Sequence, residues 1–270
     1  MAEVVTRFAP SPTGPLHLGH AYAAMVAAAR GTRFLLRIED IDAPRCTPAW
    51  EAAIYDDLQW LGLTWQTPVL RQSDRLAAYQ TALVHLYNMG LTYRCSCTRG
   101  DIRAALSAPQ EGMIGPDGPI YPGTCQGLQG KGAVRLNMGL AMARLEKIAF
   151  VETDKRAGAH HFDTSQMISR VGDIVLARRD IGTSYHLSVV VDDAAQGITH
   201  VTRGDDLFEA TAIHVVLQRL LGLPTPTYHH HRLIRDDQGH RLAKRDDARA
   251  LSKYRAEGAT PADIRRLVGL

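Results

Sequence analysis

Residues 7–20 read RFAPSPTGPLHLGH, and they constrain the fold more than any other stretch. The apolar run Val4-Val5-Thr6 leads into them and predicts a strand over residues 4–8. Pro10, Pro12, Gly14 and Pro15 then force a turn, and helix formers fill residues 21–30. A second strand is expected over residues 33–38. Strand, crossover helix and strand make a βαβ unit, which dictates a parallel sheet with a right-handed connection. The junction of turn and helix leaves backbone N–H groups free at the positive end of a helix dipole, a favourable place for an anion. Gly19 would let a nucleotide lie close to the backbone there, and His17 and His20 could donate to phosphoryl oxygens. An ordinary βα turn with two surface histidines is the plainer alternative.

Further along, Thr47-Pro48 has the form of an N-cap followed by proline at the first helical position. Trp50, Ile54, Leu58 and Leu61 would share one face of that helix, which Gly62 ends. A second helix is expected from Ser73 to Gly90, with Leu76, Tyr79, Leu83 and Leu86 inward. Residues 91–131 carry three cysteines and many Gly and Pro residues, with little periodicity. Strands are expected at residues 133–137 and 147–152, and residues 91–160 read as an insertion. Parallel-sheet patterning resumes at residues 173–177 and 185–191, the latter apolar enough for a strand buried on both faces. A short strand (residues 199–201), a helix (210–221) and a strand through His229-His230-His231 follow. No metal role is assigned to those histidines, because neighbours on a strand face opposite sides.

With 270 residues, the chain can hold one large domain or two modest ones. Its 45% hydrophobic and 22% charged residues fit a globular protein. No apolar run approaches the ~20 residues of a membrane span and no leader pattern opens the chain, so a cytoplasmic protein with no membrane partner is expected. The formal charge of +3 permits a nucleic-acid partner without demanding one. Of the four cysteines, Cys95, Cys97 and Cys125 favour a metal over a disulfide in a reducing compartment, unless they are simply packed as small hydrophobes. Cys46 stands apart.

Residues 7–20 resemble the signature of class I aminoacyl-tRNA synthetases in the form used by the glutamyl branch. That resemblance implies an α/β fold: a Rossmann-type parallel sheet with an inserted zinc-binding subdomain and a short C-terminal helical segment. The expected divisions are residues 1–90 and 161–230 as two halves of the nucleotide-binding domain, 91–160 as the insertion, and 231–270 as a basic loop and helical stub. The Arg37-Ile38-Glu39-Asp40 cluster resembles the family's RIED-type loop, in which the position of Glu39 binds the substrate's ammonium group. By the same resemblance Arg7, Ala9, Ser11, Glu39, Tyr185 and Arg203 line a glutamate pocket, Arg7 and Arg203 gripping carboxylates bidentately. An ion pair with Asp205 or Asp206 is the alternative for Arg203.

Residues 241–245, RLAKR, resemble the family's second signature, with Arg241 and Ala243 in place of the usual lysine and serine and Lys244 retained. Pro12, His17, Gly19, His20 and Lys244 would then bind ATP, with His17, His20 and Lys244 as catalytic groups and Mg²⁺ bridging phosphates. The Cys-x-Cys…Tyr-x-x-x-Cys pattern of Cys95, Cys97, Tyr121 and Cys125 resembles the glutamyl-queuosine tRNA(Asp) synthetase branch, which implies Zn²⁺ on those four residues. That branch lacks an anticodon-binding domain, and the early stop at Leu270 fits it. Expected partners are glutamate, ATP and queuosine-containing tRNA(Asp), with a monomer as the working form. Two rivals stay open: a glutamyl-tRNA synthetase catalytic fragment that charges a tRNA 3′ end, and an inactive RNA-binding paralogue.

Overall fold

The computed structural model describes residues 3–106, 114–128, 130–145, 147–235 and 249–270. The expected βαβ unit opens it: β1 (Val5–Phe8), α1 (Leu18–Arg30) and β2 (Arg33–Ile38), the strands parallel with Arg7 opposite Leu35. Helix α2 (Pro48–Trp60) crosses to β3 (Gln66–Arg71), which pairs parallel to β2. Thr47 caps α2 by accepting from the Trp50 N–H. Ile54, Leu58 and Leu61 are buried as expected, as are Tyr79, Leu83 and Leu86 of α3 (Leu76–Asn88). Trp50 and Leu76 are 37% and 50% exposed, because both stand in the first turn of their helices, ahead of the residues that reach the core.

The middle of the chain supplies β4 (Thr92–Cys95), α4 (Arg99–Leu106), the small hairpin β5 (Ile114–Gly115) and β6 (Gly118–Pro119), β7 (Ala133–Leu136) and α5 (Met138–Met142). Then come β8 (Ile148–Glu152), β9 (Gly158–Phe162), α6 (Thr164–Arg170) and β10 (Val175–Ala177). The chain continues through α7 (Tyr185–Ala195), β11 (His200–Gly204), α8 (Thr211–Leu220) and β12 (Thr227–His231), and ends in α9 (Leu251–Ala256) and α10 (Pro261–Val268).

Two strand expectations change. Val175–Ala177 does not extend the parallel sheet: it pairs antiparallel with β7, as does β4. Residues 185–191 form helix α7, not a strand. Its turns bury His186, Leu187, Ser188, Val189 and Val190, and a helix buried nearly all round has no polar stripe to betray its period. Ser184, whose side chain accepts from the Leu187 N–H, and Gly197, at φ 65°, are the local start and stop signals.

Strand β12 pairs parallel with β11 and with β8, and β9 closes the edge antiparallel to β8. This four-stranded sheet meets the β1–β2–β3 sheet at β1 and β11, where the Thr199 N–H donates to the Val5 carbonyl at 3.1 Å. Alternation along β1 and β2 sends Val5 and Leu35 into one core layer and Phe8, Phe34 and Leu36 into another. The first layer holds α3, α5, α7 and α8 residues, and the second holds α1, α2 and α10 residues, so helices cover both faces. This is the Rossmann-type α/β architecture the sequence predicted.

Candidate active site

At the β1–β11 seam the chain turns outward in both directions, to β2 on one side and β12 on the other. Such a reversal leaves a crevice beyond the carboxyl ends of the strands, where α/β sheets bind ligands. Arg7 stands on β1 and Arg203 on β11, each 6% exposed, so the two strands bring both predicted carboxylate readers to the seam.

Arg7 is already held. Its Nε and Nη2 donate to the two oxygens of Asp193 at 3.0 and 3.2 Å, and its Nη1 donates to the Thr202 carbonyl. Asp193 also accepts from Arg37 Nη1 at 2.6 Å, and Arg37 Nη2 donates to Glu39 Oε1 at 3.0 Å. Burial works to raise the Asp193 carboxyl, but Arg7 and Arg37 together hold it below its ordinary value. Burial pushes the Glu39 carboxyl above its ordinary value, against the pull of Arg37, which Glu39 must share with Asp193. Neighbouring Asp192, on the same buried turn of α7, accepts from Gln72, Arg75 and Tyr79. Sequence reasoning passed over Asp192 and Asp193, and it quoted Arg37 in the loop motif without giving it a role. The signal was there: two carboxylates inside the apolar run VVVDDAA must find cations or donors when that run is buried.

Arg203 pairs with neither Asp205 nor Asp206. Its Nε donates to His230 Nε2 at 3.1 Å, its Nη1 bonds His214 Nδ1 at 3.0 Å, and its Nη2 donates to the Thr211 hydroxyl and the Leu207 carbonyl. The predicted strand through His229-His230-His231 is present as β12, and His230 faces inward from it.

The first motif caps its own helix. His17 is the N-cap of α1, its Nδ1 accepting from the Gly19 N–H, while His20 Nδ1 accepts from the His17 N–H. The two rings lie 3.8 Å apart. A Cβ on Gly19 would come within 2.9 Å of the His17 ring, so the glycine makes room for that histidine. Glu39 N donates to the Pro10 carbonyl and Thr47 N to that of Pro12, tying the segment after β2 to the first motif. Pro12 is buried, and Ala9 is partly so. On the far side Leu251 N donates to the Leu16 carbonyl, and Ala250 bridges to His17. Arg241, Ala243 and Lys244 lie outside the described residues, six to nine positions before Ala250.

A cavity of about 700 Å³ opens beside these groups. Ser11, Glu39 and Tyr185 line it, with Arg45, Arg135, Arg178 and Arg179 as further cations that the sequence reading did not single out. The RRD run at residues 178–180, just after β10, was the available signal. Arg7 and Arg203 are not among its lining residues. Tyr185 is 36% exposed, but desolvation at the cavity wall raises its phenol above the ordinary value, so it stays a hydroxyl donor.

In the middle segment Cys95, Cys97 and Cys125 bring their sulfurs within 4.8 Å of one another and could hold a metal ion. Tyr121 Oη lies 3.3 Å from Cys95 Sγ and 3.4 Å from Cys97 Sγ. A zinc ion with Zn–S bonds of about 2.3 Å sets tetrahedral sulfurs about 3.8 Å apart, so this donor set fits zinc. Arg135 stacks over the Tyr121 ring at 3.9 Å. Among the described residues, no helix is long and apolar enough to cross a membrane.

Comparison with known proteins gives the site its setting. The model of the family "tRNA synthetases class I (E and Q), catalytic domain" matches residues 3–270. The Glutamyl-Q tRNA(Asp) synthetase of Rhodobacter capsulatus is 64% identical over 281 residues, covering 99% of this chain and 100% of that protein. The protein of the same name from Albidiferax ferrireducens is 42% identical, with 93% and 87% covered. Among solved structures, the glutamate-tRNA synthetase of Elizabethkingia anophelis superposes with a TM-score of 0.78 at 26% identity. That match covers 99% of this chain but 61% of the other, so the chain spans about three fifths of that enzyme's length. Mycobacterium tuberculosis methionyl-tRNA synthetase with methionyl-adenylate, at 11% identity and a TM-score of 0.63, shares the fold alone.

Proposed function

The chain belongs to the class I tRNA synthetase catalytic-domain family for glutamate and glutamine, and on that premise we propose that it activates glutamate with ATP and transfers it to the queuosine base of tRNA(Asp). The glutamate α-carboxylate attacks the α-phosphorus of ATP, a bond to that carboxylate forms, and pyrophosphate leaves. The nucleophile is already ionised, so positioning and charge neutralisation are the protein's tasks. A hydroxyl of the modified base then displaces AMP from the glutamyl-adenylate.

The observation that carries the activation half is the pairing of Arg7 and Arg203 at the β1–β11 seam, beside a helix N-terminus that presents His17 and His20. In this reading Arg7 and Arg203 read substrate carboxylates, with Ser11 and Tyr185 adding hydroxyls and Ala9 shaping the wall. Glu39, with Arg37 on one oxygen, offers the other to the substrate ammonium. Pro12, Gly19, His17 and His20 take the α-phosphate region, and Lys244 the departing phosphates of magnesium-bound ATP. Cys95, Cys97, Cys125 and Tyr121 would hold a structural zinc that pins the middle segment.

The acceptor half rests on the 64% identity to a Glutamyl-Q tRNA(Asp) synthetase. Labelled glutamate, ATP and tRNA(Asp), with and without queuosine, test it. Label that appears only on queuosine-containing tRNA is the expected result. Label independent of queuosine overturns the acceptor, and absence of glutamate-dependent ATP–pyrophosphate exchange without tRNA overturns the activation step.

A further inference from the structure

Arg203 sits at the meeting point of two histidine chains, and the hydrogen positions in both follow from it. A guanidinium can only donate. His214 Nδ1, 3.0 Å from Arg203 Nη1, must therefore be an acceptor, which puts the proton of this buried ring on Nε2. That Nε2–H faces His186 Nδ1 at 3.0 Å, so His186 carries its proton on Nε2, which faces Asp117 Oδ1 at 3.1 Å. On the other side His230 Nε2 accepts from Arg203 Nε, so His230 Nδ1 carries the proton and donates it to Glu152 Oε2 at 2.5 Å. Glu152 is itself fixed: its Oε1 accepts from the backbone N–H groups of Thr153, Asp154 and His230. With these tautomers every ring N–H meets an acceptor.

Counting N–H groups shows what this leaves. Of Arg203's five, Nε goes to His230, one on Nη1 to His214, and both on Nη2 to Thr211 and Leu207. Among the described residues, one N–H on Nη1 meets no acceptor and stays for a ligand. The bidentate grip expected from the sequence would require Arg203 to give up a partner.

We propose that His214 and His230 are positioning residues that hold Arg203 so that it meets the substrate carboxylate through a single Nη1 hydrogen, their tautomers locked by Asp117 through His186 and by Glu152. The inference rests on the reading of Arg203 as a glutamate-binding residue. Burial and the Arg203 cation push His230 down to about 4, which keeps it neutral at working pH. The relay also links the Asp117 hairpin turn, on the wall of the cavity, to a buried residue at the seam.

The first test needs no variant. Long-range ¹H–¹⁵N spectra of histidine-labelled full-length protein at pH 7 report each tautomer, and the proposal requires Nε2–H for His214 and Nδ1–H for His230. The opposite tautomer or an imidazolium at either ring overturns it.

Kinetics of glutamate-dependent ATP–pyrophosphate exchange supply the second test. A hydrogen bond to a charged group contributes about 1.5–3 kcal/mol, which is about a 10- to 150-fold change. Glu152→Gln keeps the shape but can present an N–H to His230 Nδ1, forcing a second N–H against Arg203 Nε. The expected result is a KM for glutamate raised about tenfold or more, with the KM for ATP unmoved. His214→Ala should do the same, and His214→Asn, whose side-chain oxygen can stand in for Nδ1, should recover most of it. If Arg203→Ala raises the glutamate KM while Glu152→Gln and His214→Ala do not, the relay is wrong and the pocket assignment survives. If Arg203→Ala leaves it unchanged, the pocket assignment falls and the relay with it.

Discussion

The seam crevice and the cysteine cluster both gather polar side chains away from water, and they do so in opposite ways. At the seam the central pairs join distant elements: Arg7 and Asp193 are 186 residues apart, and His230 and Glu152 are 78 apart. In the cluster all four groups come from residues 95–125: Cys95 Sγ donates to the Tyr121 phenol, Cys97 Sγ touches that phenol and Cys125 Sγ, and the Cys125 backbone N–H also donates to the phenol. Thiols are weak donors and weak acceptors, so this second arrangement satisfies its three sulfurs only weakly by itself. The seam is finished by the fold, whereas the cluster is chemically suited to an ion that would finish it. The comparison implies that damage at the seam should reach the whole molecule, and damage at the cluster should stay local.

Asp193→Ala is the sharpest attempt to break that contrast. It leaves Arg7 and Arg37 buried without their shared carboxylate, and removing one partner of a buried pair costs about 3–5 kcal/mol. Urea unfolding should show that loss as a lower midpoint for the entire chain. A variant within 1 kcal/mol of the parent, on the order of a surface change, would mean that the network is not what holds the seam.

His17→Ala comes next. Removing one donor to a developing charge typically lowers turnover about 10²- to 10³-fold, or ~2.7–4 kcal/mol. That loss should be visible in pyrophosphate exchange with stability altered by only the lost helix cap, about 0.5–2 kcal/mol. Equal losses in fold and activity would make His17 a cap and nothing more.

The cluster gives the local counterpart. At a hundredfold excess of zinc over its Kd, binding stabilises by about 2.7 kcal/mol, and a chelator should withdraw that much. Cys97→Ser with Cys125→Ser should abolish zinc in metal analysis and open residues 91–131 to protease, while circular dichroism of the sheet and helices holds. Collapse of the whole fold on chelation would erase the distinction between the two regions.

The same distance in sequence explains what could be read beforehand. The first motif is legible because a strand, a proline-rich turn and a helix cap are neighbours in the chain, and the Cys-x-Cys spacing is legible for the same reason. Arg203 stood out as a site residue, but its partners His214 and His230 did not, since nothing in the sequence tells which side of α8 or β12 faces it. Asp193 was hidden by the misreading of α7. Once residues 185–191 are taken for a strand, the two aspartates become its polar end instead of the buried last turns of a helix. Long-range pairing, not local pattern, decides those groups.

Acid offers a graded probe of the seam. His230 has an ordinary value of 6.5 and a folded value of about 4, and His214 is displaced in the same direction. Burial and Arg203 act on both rings. Glu152 and Asp205 partly oppose the shift at His230, while His186, Arg7 and His230 itself add to it at His214. Between these two values the unfolded chain binds a proton that the folded chain refuses, so stability rises with pH there. The seam should therefore be at full strength above pH 6.5, weaken progressively toward pH 4, and change little from this source below that. Urea midpoints at pH 8, 6 and 4.5 check it, and the slope should shrink in His230→Gln.

Gly19→Ala should move stability least of all. A methyl group there would sit 2.9 Å from the His17 ring, at the far end of a side chain that can swing away. Swinging breaks the bond from Gly19 N to His17 Nδ1 and removes the cap, a loss of about 0.5–2 kcal/mol. Alanine in place of glycine inside a helix returns about 0.8–1.0 kcal/mol. The two nearly offset, so the melting temperature should barely shift. Activity has no such compensation, because the displaced ring is the proposed phosphate contact: the KM for ATP should rise while the KM for glutamate, read at Arg7 and Arg203, stays put. A variant with unchanged ATP kinetics and a lowered melting temperature would return His17 to the role of an ordinary cap and move the nucleotide elsewhere in the crevice.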